Sequence, residues 1–135
     1  MALIAYCAGG TIFVLLGALH AFYTWLDGKD PRRLVPGDPE TMAAMRSSPL
    51  RLSRGATTVW RAWTGFNYSH SLGLVWFGAS CAVLAFGVKL YPIPDHALIL
   101  PVLVGATYTG LAIRYWFKIP AIGAGLATLL LLLGA

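Results

Sequence analysis

The chain has 135 residues, of which 58% are hydrophobic and 11% charged, and its mean hydropathy is +0.70. Soluble domains carry about 25% charged residues, so composition excludes an ordinary water-soluble domain, and length allows one integral-membrane domain of residues 1–135. The net charge of +5 sits beside apolar spans, which suits membrane lipids with anionic headgroups and excludes a nucleic-acid partner. Two cysteines, Cys7 and Cys81, give neither metal-ligand spacing nor a disulfide framework, and they read as small buried apolar side chains.

Met1 to Leu26 contains no charged side chain and is long enough to span about 30 Å of hydrocarbon. Its first residues lack Lys and Arg, and its apolar run exceeds the core of a signal peptide, so the expectation is a retained helix. Gly10, Gly17 and Thr24 recur every seven residues, with His20 and Ala21 on the same side. That stripe of small residues predicts the packing face. Tyr23 and Trp25 mark the interface.

Residues 27–64 form the one long polar segment. DGKDPRR opens it and cannot continue the helix past Pro31. Asp38 is the expected N-cap of a short helix, with Pro39 at its first position and Glu40 in its first turn. Ser48-Pro49 should end that helix. From there Leu52, Ala56, Val59, Trp60, Trp63 and Phe66 fall within one helical arc, with Arg54 and Arg61 opposite. The pattern predicts an amphipathic cap over residues 38–63, lying on headgroups or packed on the bundle.

The second span is expected at 65–88, since no charged residue follows His70 until Lys89. KLYPIPD reads as a tight turn into a third span at 97–113, with Pro101 near its start, where a missing N–H does least harm. Arg114, Lys118 and Pro120 separate it from a fourth span at 119–135, about the minimum length for crossing. There Ala121, Gly123 and Gly125 offer close approach to a neighbour. The predicted fold is all-α, a four-helix transmembrane bundle with a cytoplasmic amphipathic segment between the first two spans.

Orientation follows from the basic residues. Lys29, Arg32, Arg33, Arg46, Arg51, Arg54 and Arg61 lie in the first loop, Arg114 and Lys118 in the third, and Lys89 alone opposite. The positive-inside rule places the long loop in the cytoplasm and both termini outside a cytoplasmic, or inner, membrane. Trp25, Trp60, Trp63, Tyr115 and Trp116 then fall at the inner interface.

Polar side chains inside such spans are costly and are usually paired or functional. At 1.5 Å per residue, His20 and His70 lie about 10 Å inside the cytoplasmic boundary and Tyr108 about 9 Å. Asn67 and Ser71 are one turn away from His70. These five residues form the candidate polar cluster, and three readings of it stand open. In the first they satisfy one another and fix helix register, each interhelical hydrogen bond contributing about 0.6 kcal/mol on average. In the second, His20 and His70 ligate haem b, Gly17 and Gly73 leave room for the macrocycle, and Arg54 or Arg61 meets the propionates. In the third, His70 works as an acid–base group on a lipid- or quinone-sized substrate, helped by His20, Asp27 or Tyr108. No nucleophile–base–orienter set accompanies it, and no metal site is expected. His96, beside Asp95, reads as a solvated interface residue.

At GALH in the first span and GFNYSHSLG entering the second, the chain resembles small four-span bacterial membrane proteins of DoxX-like layout. The likeness rests on span number, the long first loop and those two motifs. It implies a compact helical bundle, often an accessory component of the cytoplasmic membrane, and it carries over no catalytic or cofactor residue. Together these features lead to the expectation of a small accessory or interaction protein, a homo-oligomer or a subunit of a membrane complex.

Overall fold

The computed structural model describes residues 1–91 and 94–135, so the KLYPIPD turn falls partly on Pro92 and Ile93, outside the described residues. Among those residues the protein is all-helical. Helices α1 (Ala2–Lys29), α2 (Pro39–Ser47), α3 (Val59–Leu90), α4 (Ile99–Tyr115) and α5 (Lys118–Gly134) follow one another, with 3-10 turns at Arg51–Ser53 and Asp95–Leu98. Three segments, Ala2–Lys29, Val59–Leu90 and His96–Tyr115, are long and apolar enough to cross a membrane, and Lys118–Gly134 is a shorter apolar helix.

The helix ends follow local chemistry. Helix α1 stops two residues before Pro31. Asp38 caps α2, accepting from the Thr41 N–H at 2.7 Å and its hydroxyl at 2.5 Å, while Pro39 opens the helix. Those two hydrogen bonds favour the Asp38 carboxylate and hold it below the usual carboxylate range. Pro101 and Pro120 both sit in the first turns of their helices. Pro120 therefore fits inside the start of α5, which begins at Lys118, because an N–H in the first turn has no intrahelical acceptor to lose.

The amphipathic cap differs from expectation. Leu52 and Ala56 are not α-helical. The chain instead passes Arg51–Ser53 as one 3-10 turn and reverses at Arg54 (φ 51°) and Gly55 (φ 90°). Ser53 Oγ donates to the Leu50 carbonyl and accepts from the Thr57 N–H, which closes the reversal. Hydrogen bonds from the Leu50 N–H to the Thr57 carbonyl and from the Val59 N–H to the Ser48 carbonyl then zip its two limbs. Thr58 Oγ1 accepts from the Arg61 N–H at 3.3 Å, so the helix starts at Val59. Trp60, Trp63 and Phe66 thus belong to α3, one continuous helix of 32 residues that begins ahead of the expected position 65.

The described residues divide into two compact units, residues 1–17 with 73–135, and residues 18–72. In the first unit Tyr6, Phe13, Leu74, Cys81, Ala85, Leu98, Ala124, Ala127 and Leu131 form the core. Backbones meet closely there because glycines allow it. A Cβ on Gly10 would stand 2.7 Å from the Gly78 carbonyl oxygen, and one on Gly9 2.6 Å from that of Ala127. Gly10 is thus a contact residue of the expected stripe. On α5 a Cβ on Gly123 would stand 3.2 Å from the Leu16 side chain, a tight approach as expected, whereas one on Gly125 would be 3.7 Å from Thr109, an ordinary contact, and the tightest approach is made by Gly134 against Ala2 and Tyr6. Tyr6 donates to the Leu98 carbonyl at 3.0 Å. The Thr109 and Thr128 hydroxyls meet at 3.2 Å between α4 and α5.

Candidate functional site

The second unit contains most of the polar cluster. Asn67 lies in α3 with 1% of its surface exposed, one turn after Trp63 and one before Ser71. Its amide group donates to the Trp63 carbonyl at 2.9 Å, and its Oδ1 pairs with His20 Nε2 on α1 at 2.9 Å. An acceptor at Oδ1 makes His20 Nε2 the donor. Ser71 is as buried as Asn67 and donates to the Asn67 carbonyl at 2.7 Å, and Thr24 donates to that of His20 at 2.9 Å. The His20 and His70 rings meet edge to face with centroids 5.3 Å apart, and His70 also stacks on Phe66 at 6.0 Å. His20, Asn67, His70 and Ser71 therefore come together within this unit. Among the described residues every buried side-chain polar atom has a hydrogen-bond partner.

Tyr108, the fifth, falls in the first unit. Its ring packs against Phe13 and Phe77, both with centroids 5.9 Å away, and Phe13 meets Phe77 edge to face at 4.9 Å. Ser69 is exposed and donates to the Phe66 carbonyl of its own helix. Arg54 occupies the exposed left-handed reversal and Arg61 an exposed position in the first turn of α3. His96 is exposed.

Asp27 has a role that the sequence did not suggest. It lies in the last turn of α1 with 5% of its surface exposed. The negative end of the helix dipole disfavours a carboxylate there. The chain offsets this by folding back over it. Asp27 Oδ1 accepts from the Arg32 and Arg33 N–H groups at 3.0 Å each, and Oδ2 accepts from that of Leu34 at 2.6 Å. The Arg33 guanidinium approaches to 3.5 Å. Trp63 Nε1 fastens the same segment by donating to the Leu34 carbonyl at 2.9 Å. The signal that could have identified this anchor is an acid at the wrong end of a helix, followed closely by Pro31 and two arginines.

Beside this anchor lies a cavity of about 20 Å³ lined by Thr24, Asp27, Leu34, Trp60, Trp63 and Asn67 among others. That is the room of one water, for which about 10–15 Å³ suffices. Ligand sites measure roughly 300–1,000 Å³. Nor does the histidine pair suit a haem. Axial ligation aims one nitrogen of each imidazole at a single iron from opposite faces of the macrocycle. Here the rings touch edge to face and His20 Nε2 is bonded to Asn67, so no planar group fits between them.

Comparison with family models, curated proteins and solved structures gives no match.

Proposed function

We propose that the protein is a small multi-pass component of the cytoplasmic membrane, an accessory or interaction subunit rather than an enzyme. In this reading α1, α3, α4 and α5 cross the bilayer, the segment between α1 and α3 lies in the cytoplasm, and both termini lie outside. At 1.5 Å per residue the 17 residues of α5 reach about 26 Å, which a locally thinned bilayer accommodates. The distribution of basic residues supports the orientation. Lys29 over the Trp25 ring at 3.8 Å, and Arg46 over Trp60 at 5.5 Å, give the chain aromatic–cation pairs of the kind that suit a headgroup layer.

The observation that carries this reading is the state of the polar cluster. His20 Nε2 and Asn67 Oδ1 are bonded to each other, the Asn67, Ser71 and Thr24 donors are spent on backbone carbonyls, and the adjoining cavity has the room of one water. A bond of this kind between α1 and α3 supports a role in holding the helices in register. What the chain offers a partner is apolar surface, including Trp76, Val83, Leu103, Ile113 and Ile122, each at least 60% exposed.

Gly37 is exposed and a Cβ there meets nothing within 4 Å, so Gly37→Cys reports topology without disturbing the fold. It should react with a membrane-impermeant thiol reagent in inverted vesicles and not in intact cells. Labelling of intact cells above the background that Cys7 and Cys81 give in the wild-type chain would overturn the orientation. Purification in native lipid should bring down a second copy or another membrane protein in fixed ratio, whereas a strict monomer that converts a small molecule would refute the accessory role.

A further inference from the structure

The reversal between α2 and α3 presents an apolar side chain that no packing argument explains. Leu52 is 93% exposed. An exposed leucine alone means little, but this one stands on a loop whose backbone is fixed. The limbs are joined by the Leu50–Thr57 and Val59–Ser48 bonds, the turn by the Ser53 and Arg54 N–H groups on the Leu50 and Arg51 carbonyls, and Ser53 Oγ braces its middle. Arg51, Arg54, Gly55 and Ala56 are the exposed residues beside Leu52. From Arg46 to the end of α3 the sequence carries no acidic residue, while Arg46, Arg51, Arg54 and Arg61 supply positive charge. The loop also stays close to α3. Val59 lies five positions after Arg54, and there that helix, long and apolar enough to cross a membrane, begins. A chain of that length reaches at most about 18 Å.

We propose that this loop is a membrane finger that seats Leu52 at the acyl boundary of an anionic leaflet, with Arg51 and Arg54 on lipid phosphates. The inference rests on the membrane reading above and adds a specific lipid contact to it. An apolar tip between cations is the combination that interfacial segments use, burial of apolar area adding to attraction for anionic lipids. Guanidinium groups meet phosphates through paired donors. The fixed backbone lets the tip insert with little loss of conformational freedom.

The test uses the full chain with Leu52→Cys carrying an environment-sensitive nitrobenzoxadiazole probe, and the wild-type chain labelled alike as background for Cys7 and Cys81. It is reconstituted in nanodiscs of phosphatidylethanolamine with phosphatidylglycerol, or of phosphatidylcholine alone. In the anionic discs the probe should emit to the blue and be quenched by acyl-chain nitroxide lipids several-fold more strongly than a probe at Gly37→Cys. Phosphatidylcholine, high salt or the Arg51→Gln/Arg54→Gln pair should each reduce that quenching several-fold. A probe that reads water in both lipids overturns the proposal. So does quenching indifferent to lipid charge and to the two arginines, or a probe shielded from both water and lipid quenchers, which would mean that protein covers the tip. In all of these results the protein is in the disc. A chain that does not incorporate at all would count against the membrane reading instead.

Discussion

Asp27→Ala should free the segment after α1 to trypsin, with cleavage at Arg32 and Arg33, while the long helices stay folded. The carboxylate gathers three backbone N–H groups and a guanidinium into one buried place. Removing it leaves those donors to find water, and hydrogen bonds to a charged group contribute about 1.5–3 kcal/mol. One effect runs the other way. A carboxylate leaves the negative end of the α1 dipole, which is worth about 0.3–1 kcal/mol. The larger quantity decides, so the variant should melt lower and its loop should be cut first. Trp63→Phe keeps the ring and loses only the bond to the Leu34 carbonyl, so its cost should be smaller, about 1 kcal/mol. Unchanged tryptic resistance in Asp27→Ala would mean that the loop is held by something other than these bonds.

The second large effect is expected in the other unit. A methyl group on Gly78 would run into the Gly10 carbonyl oxygen and stand 2.8 Å from both the Val14 N and Cγ2 atoms. Two of those three neighbours are backbone atoms and cannot rotate away. Overfilling a packed interface costs about 1–3 kcal/mol, against a gain of about 0.5–1 kcal/mol for replacing glycine inside a helix. Gly78→Ala should therefore destabilise, and a larger residue should block folding. Gly65 lies in the same helix, and a Cβ there meets nothing within 4 Å. Gly65→Ala should show the helix gain alone and melt higher. Equal responses of the two variants in thermal unfolding would refute the close crossing of α1 and α3 at Gly10 and Gly78.

These two sites show how much could be read in advance. The Asp38-Pro39-Glu40 start of α2 was fully legible, because cap, first position and first-turn acid are neighbours in sequence. The apolar helices were legible for the same local reason, and their ends shifted by only a few residues. The start of α3 was not. Leu52, Ala56 and Val59 satisfy a helical period, yet Arg54 and Gly55 adopt positive φ and Ser53 closes a turn. Periodicity cannot detect a reversal that costs only a few residues. Within the cluster, counting residues from the loops gives the level of a side chain and nothing about the side of the helix it occupies. Level predicts that His20, Asn67, His70, Ser71 and Tyr108 share a depth, but it does not predict that His20 bonds Asn67 or that the Tyr108 ring packs on Phe13 and Phe77. Asp27 was legible as a polar residue at the edge of a span, but its partners are backbone N–H groups, which no side-chain pattern records.

The central claim is that the cluster is a tie between helices, with His20 and Asn67 as its direct link. A double-mutant cycle on thermal unfolding in detergent tests it. His20→Ala leaves Asn67 Oδ1 buried without its donor, and Asn67→Leu leaves His20 Nε2 without its acceptor, each at about 1–3 kcal/mol. In the double variant neither group remains to be orphaned. Its cost should fall short of the sum of the two singles by about 1 kcal/mol or more, within the range found for directly bonded residues. Costs that add to within about 0.3–0.5 kcal/mol, as independent sites do, would mean that the two side chains serve different neighbours and that the tie does not exist.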